Sequence, residues 1–198
     1  MRALLPSILT CGNLAAGFVA LSLASQALFV HAAVLVAVAA ALDLLDGATA
    51  RLCSAEGELG RNLDSLADVV SFGVTPAFAL YLSMTAEQGL PPYAGLAVSA
   101  VFLTCGAARL ARFPLVKRED CYLGLPIPPA GLALVLLAAA GPPPPVVEAV
   151  AALVLGALMV SKLPFPSVST MLKAGRKTLG QGRPPRTEEP LRDAGGSR

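Results

Sequence analysis

The sequence predicts an all-α, polytopic membrane protein, and three observations support this. Of its 198 residues, 55% are hydrophobic and only 14% are charged. A soluble domain carries about a quarter charged residues, and the mean hydropathy here is +0.68. Several uncharged runs are also long enough for the roughly 20 helical residues that cross a hydrocarbon core of about 30 Å.

These uncharged runs set the number of helices. Residues 3–42 hold no Asp, Glu, Lys or Arg, which leaves room for two spans joined near residues 26–31. Residues 69–86, 88–108 and 121–147 are uncharged as well, and residues 149–161 continue an apolar segment. We therefore expect six transmembrane helices, at about 5–25, 28–46, 63–84, 92–112, 124–141 and 145–163. A cleavable signal peptide is an alternative for the first segment, but no small-x-small cleavage site stands apart from the apolar run.

The distribution of basic residues predicts the orientation. All fifteen Lys and Arg lie at Arg2, in the 46–62 loop, in the 109–120 loop or in the C-terminal segment. Cytoplasmic loops carry such an excess, so both termini and these two loops are predicted to be cytoplasmic. That pattern requires an even number of spans. We expect a multi-pass protein of the cell membrane, with any site built from these loops facing the cytoplasm.

Domain organisation and cysteine usage narrow the function. Residues 1–170 are expected to form one transmembrane domain, and the Gly-, Pro- and Arg-rich residues 171–198 a disordered cytoplasmic tail. No CxxC pair occurs and His31 is the only histidine, which disfavours zinc and histidine-based chemistry. The four cysteines are expected to be reduced: Cys11, Cys53, Cys105 and Cys121. We expect no nucleic-acid partner.

Four aspartates gather near the predicted cytoplasmic ends of the second and third helices. Asp43 and Asp46 are three residues apart, and Asp64 and Asp68 are four apart, so each pair shares one helix face. Acidic groups at membrane depth are costly and usually mark function. If the two helices are antiparallel neighbours, all four carboxylates converge. We call these four residues the acidic cluster.

Such a cluster needs a compensating charge. Four ionised carboxylates repel one another, and hard divalent cations prefer carboxylate oxygens as ligands. Mg²⁺ or Mn²⁺ suits an all-carboxylate site, and two-metal sites act on phosphoryl groups. The acidic cluster therefore predicts a site for two divalent ions. A helix cap or a solvated side chain is the plainer interpretation of a single acid, and we prefer it for Glu56 and Glu58.

Small residues and one arginine accompany the acidic cluster. Gly47 and Ala50 keep the face beside Asp46 low, and Gly60 precedes Asp64 by one turn. Arg51 can reach a phosphate or a carboxylate from the mouth of the site.

The stretch Asp43-x2-Asp46-Gly47-x2-Ala50-Arg51-x8-Gly60-x3-Asp64-x3-Asp68 resembles the full signature of the CDP-alcohol phosphotransferases. The resemblance implies a six-helix membrane fold, a homodimer and a dinuclear metal site for a CDP-linked substrate. It implies metal binding by the acidic cluster, with Asp68 also acting as general base. It further implies that four residues shape the CDP pocket: Gly47, Ala50, Arg51 and Gly60.

Five further segments resemble the bacterial and archaeal phosphatidylserine synthase branch of that family. They are PSILTCGNLAAGF (6–18), LDSLADVVSFGVTPA (63–77), ARLARF (108–113), GLPIPPAG (124–131) and LMVSKLPFPS (158–167). With the signature, the likeness covers most of residues 6–167. It implies transfer of a phosphatidyl group from CDP-diacylglycerol to L-serine, with release of CMP.

Three residues outside the signature are further candidates. Asn13 lies within the first span. It either contacts the substrate, for example the CDP group of CDP-diacylglycerol, or forms an interhelical hydrogen bond. Arg109 and Arg112 end the fourth helix and could hold a lipid phosphate or the serine carboxylate. Snorkelling toward the headgroups is the alternative for both.

Two other functions stay open at this point. A sister enzyme would use glycerol 3-phosphate or inositol phosphate as the acceptor, and the basic 109–118 loop does not decide between those acceptors and serine. A cation transporter would place its acids near the bilayer midplane in broken or repeated helices. Here the acids lie at one membrane face and no inverted repeat is visible, so the transporter is the remoter alternative.

Overall fold

Seven α-helices and one π-helical segment build the protein in the part of the chain that the computed structural model describes. That part comprises residues 4–53, 58–86, 89–112, 122–141, 144–161 and 164–165. The α-helices are α1 (Leu4–Ala24), α2 (Phe29–Cys53), α3 (Glu58–Asp68), α4 (Thr75–Thr85), α5 (Pro92–Arg112), α6 (Ile127–Ala139) and α7 (Pro145–Val160). The π-helical segment, Val69–Val74, joins α3 to α4 without a break.

The all-α prediction is confirmed, with one small addition. The strands β1 (Tyr122–Leu123) and β2 (Pro164–Phe165) pair antiparallel in the described residues, and each has only two residues. The described elements belong to one compact unit, Met1–Phe165. The predicted tail at residues 171–198 lies outside the described residues.

Helices occupy each of the six predicted segments, but not all have the length of a span. Among the described residues, four continuous helical stretches are long and apolar enough to cross a membrane: Ser7–Ala24, Phe29–Thr49, Glu58–Thr85 and Pro92–Arg112. The helices α6 and α7 are shorter, with 13 and 16 residues. Six spans and cytoplasmic termini therefore stay predictions.

The π-helical segment has a local cause in the sequence. Pro76 has no N–H to give to the carbonyl of Phe72, and a proline ring clashes with the carbonyl four residues before it. The backbone N–H of Thr75 bonds to the carbonyl of Val70, five residues back, as π-helical geometry requires. Gly131 of α6 packs directly on Phe72, and a β-carbon at Gly131 would lie 2.9 Å from the Phe72 Cα. The displaced backbone thus fits against a residue without a side chain.

Helix α1 packs along α2 and also against α3 and the π-helical segment. Two hydroxyl groups connect α1 to the π-helical segment and to the first residue of α4. Ser71 Oγ donates to the carbonyl of Asn13, and Thr75 Oγ1 donates to the carbonyl of Gly17, both at 3.0 Å. Such interhelical hydrogen bonds beside small residues are typical of membrane helix packing. The arrangement places one face of α1 opposite the aspartates of α2 and α3.

Candidate active site

Three of the four predicted aspartates come together in space. Asp43 of α2 and Asp64 and Asp68 of α3 each present a carboxylate oxygen, and the three oxygens all lie within 4.8 Å of one another. Asp43 and Asp64 are half-buried, whereas Asp68 is only 8% exposed. Residues from two different helices therefore form one group of carboxylates. We call Asp43, Asp64 and Asp68 the three-aspartate group.

Asp46 has a different environment from these three. It is only 6% exposed, and its Oδ2 accepts a hydrogen bond of 2.8 Å from Thr10 Oγ1 of α1. Asp46 is not one of the residues whose oxygens meet within 4.8 Å. It is nonetheless close enough to Asp43 and Asp64 for their charges to repel. Asp46 thus flanks the three-aspartate group and is held from the side of α1.

The oxygen atoms of the group fit a hard divalent cation. Within the described part of the chain, Asp64 Oδ1 and Asp68 Oδ1 are buried and have no hydrogen-bond partner. Buried polar atoms are normally paired, so two unpaired carboxylate oxygens beside a third carboxylate fit the binding of a cation. All the donors are oxygens, which favours Mg²⁺-like ions over zinc.

Asn13 lies at the same site, next to Asp68. Asn13 is fully buried, and its backbone carbonyl accepts a hydrogen bond from the Ser71 hydroxyl. Its side-chain amide faces the Asp68 carboxylate. Neither Nδ2 nor Oδ1 of Asn13 reaches a partner in hydrogen-bond geometry among the described residues. The cost of burying an amide unpaired is about 1–3 kcal/mol. An amide in this position is therefore suited to bind a group that the substrate brings.

The remaining candidates from the sequence lie around this centre. Gly47 follows Asp46 in α2 and is half-buried. Gly60 is exposed at the start of α3, and a β-carbon there would meet nothing within 4 Å, so packing within the described chain does not require a glycine. Ala50 and Arg51 belong to the end of α2, and their side chains are outside the described part of the structure.

Both candidate arginines lie in the last turn of α5. Arg109 is half-buried and Arg112 is exposed. For both residues, the choice between phosphate binding and snorkelling stays a prediction.

The sequence interpretation missed two residues beside the site, Thr10 and Ser71. Thr10 precedes Asn13 by three residues, so the two share one face of α1. Ser71 follows Asp68 by three residues and lies on the same side of its helix. Helical spacing from residues already singled out was the available signal for both.

Comparison with known proteins shows the family. The sequence model of the CDP-alcohol phosphatidyltransferase family matches residues 3–175. The chain belongs to this family and is an enzyme of the phosphatidyltransferase class. Membership agrees with the acidic signature and leaves the cation transporter without support.

Similar proteins include several named CDP-diacylglycerol–serine O-phosphatidyltransferase. The chain is 36% identical to the Helicobacter pylori (strain J99) protein over 174 residues, covering 83% of this chain and 72% of the relative. It is 35% identical to the Bacillus subtilis (strain 168) protein over 166 residues, covering 82% and 89%. For the Methanocaldococcus jannaschii protein the identity is 38% over 125 residues, covering 63% and 58%.

Proposed function

We propose that this protein transfers a phosphatidyl group from CDP-diacylglycerol to L-serine and releases CMP. The three-aspartate group carries this proposal, because it supplies an oxygen-lined cation site in a chain of the phosphatidyltransferase family. In the reaction, the serine hydroxyl oxygen bonds to the β-phosphorus of CDP-diacylglycerol. The bond between that phosphorus and the bridging pyrophosphate oxygen breaks, and the electron pair leaves with CMP.

The acidic cluster would hold the cofactor. We propose two divalent ions, Mg²⁺ or Mn²⁺, with Asp43, Asp46, Asp64 and Asp68 as ligands. When bound, such ions neutralise the pyrophosphate and stabilise the negative charge on CMP as it leaves. The chain's own part is to keep the carboxylates converged, which the packing of α1 against α2 and α3 achieves.

Asp68 is the residue best placed to take the proton of the acceptor. It is the most enclosed of the three-aspartate group, and its Oδ1 has no partner among the described residues. A general base must be within hydrogen-bond reach of the hydroxyl that it deprotonates. Asn13, beside it, would bind the substrate through its free amide. A buried base with an adjacent amide can hold the serine hydroxyl and exclude competing water.

The nucleotide would occupy the rim of the acidic cluster. Gly47, Ala50, Arg51 and Gly60 would form the CDP pocket, and the open space above Gly60 is consistent with a ligand approaching the backbone closely. Arg109 and Arg112 would bind either the lipid phosphate or the serine carboxylate.

Serine is favoured as the acceptor by the names of the relatives. The H. pylori and B. subtilis proteins, both named for serine, align over more than four fifths of this chain. Glycerol 3-phosphate and inositol phosphate are the competing acceptors. Each brings a phosphate dianion to the acidic cluster, whereas serine is a small zwitterion.

We further propose the cellular arrangement that the charge pattern predicts. Six helices would cross the cell membrane with both termini in the cytoplasm, and the acidic cluster would face the cytoplasm, where CDP-diacylglycerol headgroups and serine are both accessible. A homodimer is proposed from the family resemblance.

One acceptor assay tests the function. Purified protein receives CDP-diacylglycerol and Mg²⁺ or Mn²⁺ with serine, glycerol 3-phosphate or inositol phosphate, and CMP release is followed. We expect release with serine alone. CMP release with glycerol 3-phosphate but not with serine would reject serine as the acceptor. No CMP release with any of the three acceptors would reject the proposed phosphatidyl transfer.

A further inference from the structure

Thr10 joins α1 to the acidic cluster through a side-chain hydrogen bond. Its Oγ1 donates a hydrogen bond of 2.8 Å to Asp46 Oδ2 across 36 positions of sequence. Both residues are buried, Thr10 at 5% exposure and Asp46 at 6%. This donor is not part of the family signature in the sequence, and it acts on one of the four signature aspartates.

Three other threonines of the described helices donate their hydroxyl groups within their own helix. Thr49, Thr85 and Thr104 each donate to a carbonyl four residues earlier in their own helix. That local bond is the usual way for a helical threonine to satisfy its hydroxyl. The Thr10 hydroxyl reaches across the interface between two helices to a carboxylate, just as the Thr75 hydroxyl reaches across to the carbonyl of Gly17.

We propose that Thr10 is a positioning residue, which fixes the Asp46 carboxylate in the orientation needed to bind a divalent ion. The proposal rests on the proposed function, since it takes Asp46 to be a metal ligand. A donor on Oδ2 restricts rotation of the carboxylate, whose two oxygens together offer about four lone pairs and so keep capacity for a cation. It also offsets part of the repulsion from Asp43 and Asp64 when the site is empty of cations.

The position of Thr10 on α1 supports this role. Thr10 and Asn13 are three residues apart on one helix face, so Thr10 meets Asp46 of α2 while Asn13 meets Asp68 of α3. One face of α1 thereby contacts both halves of the acidic cluster. Removing a hydrogen-bonding partner of a metal ligand typically lowers metal affinity or activity by about 10–100-fold.

The test compares three variants in the full-length protein purified in detergent. Thr10→Val keeps the shape and removes the hydroxyl, Thr10→Ser keeps the hydroxyl, and Thr104→Val removes a hydroxyl that bonds within its own helix. Mn²⁺ binding is measured without substrate from the electron paramagnetic resonance signal of the free ion. Thermal unfolding of the metal-free proteins and the Mn²⁺ dependence of CMP release are recorded in parallel.

We expect Thr10→Val to weaken Mn²⁺ binding by at least about tenfold, while Thr10→Ser and Thr104→Val bind as the unmodified protein does. CMP release by Thr10→Val should recover at saturating Mn²⁺, which a packing defect would not allow. Unchanged Mn²⁺ affinity in Thr10→Val, or equal weakening in Thr10→Ser, would overturn the positioning role. If the unmodified protein bound no Mn²⁺, both this inference and the proposed metal site would fall.

Discussion

Gly17 of α1 and Ser71 of the π-helical segment are in backbone contact: a β-carbon on Gly17 would lie 2.8 Å from the Ser71 Cα. The contact lies one turn from Asn13, whose carbonyl accepts the Ser71 hydroxyl. It therefore sets the distance between α1 and the helix that carries Asp64 and Asp68.

Enlarging Gly17 should separate these two helices. We expect Gly17→Ala to lower the free energy of unfolding by about 1–3 kcal/mol, the usual cost of overpacking, and to reduce CMP release as Asn13 moves away from Asp68. Thermal unfolding in detergent and the serine assay measure the two effects. Gly12→Ala is the matched control, because its β-carbon would meet only Leu42 Cδ1 at 3.4 Å. Equal stability of both variants would contradict the close approach.

Removing the proposed base should stop turnover and keep the fold. Asp68→Asn retains the size of the side chain but cannot accept a proton at neutral pH, and loss of a general base lowers the rate by about 10²–10⁴-fold. CMP release is the measurement. Glu58→Gln, at the exposed start of α3, is the control and should be active. Substantial residual activity in Asp68→Asn would remove Asp68 from this role.

Chelation should abolish the reaction and lower stability together. A ligand at about 100 times its dissociation constant stabilises the folded state by about 2.7 kcal/mol. We therefore expect EDTA to stop CMP release and lower the unfolding temperature, and Mn²⁺ to restore both. Asp64→Asn should unfold at one temperature with or without Mn²⁺. Full activity in EDTA would argue against a metal-dependent mechanism.

A second buried acid, away from the acidic cluster, should act on stability alone. Glu148 of α7 is 1% exposed and accepts a hydrogen bond of 2.6 Å from Ser83 Oγ of α4. Interhelical hydrogen bonds in membrane proteins couple by about 0.6 kcal/mol on average and by up to about 1.7 kcal/mol. A double-mutant cycle with Ser83→Ala and Glu148→Leu, which removes the acceptor oxygens, should give a coupling in this range, measured by denaturant unfolding. Additive effects would show that the bond contributes nothing.

Much of this architecture could be predicted from sequence because burial in lipid leaves long uncharged runs. Hydropathy located all six helical segments, but it placed the start of the third at residue 63, five residues after the structure does. The first turn of α3 exposes polar and charged side chains, and an apolar scan does not detect such a turn. The two-residue strand pair is too short to leave a periodic pattern.

The site was predictable to a similar extent. Spacing alone placed Asp64 and Asp68 on one helix face. The predicted convergence of the aspartates is confirmed for Asp43, Asp64 and Asp68. The different environment of Asp46 depends on Thr10, and nothing in a run of apolar residues distinguishes one buried threonine from another. Tertiary contacts across 36 positions are set by packing, which local sequence does not encode.

The π-helical segment after Asp68 has a consequence for how this protein can change. In an α-helix each residue turns the chain by about 100°, and a π-helical turn accommodates one residue more than an α-helical turn does. Deleting one residue from Val69–Val74 would therefore let this turn become α-helical, and Asp64 and Asp68 would largely keep their direction relative to α4. A deletion within α4 would instead turn the two aspartates by about 100° relative to the far end of α4, so the chain tolerates a change of length before Thr75 better than after it.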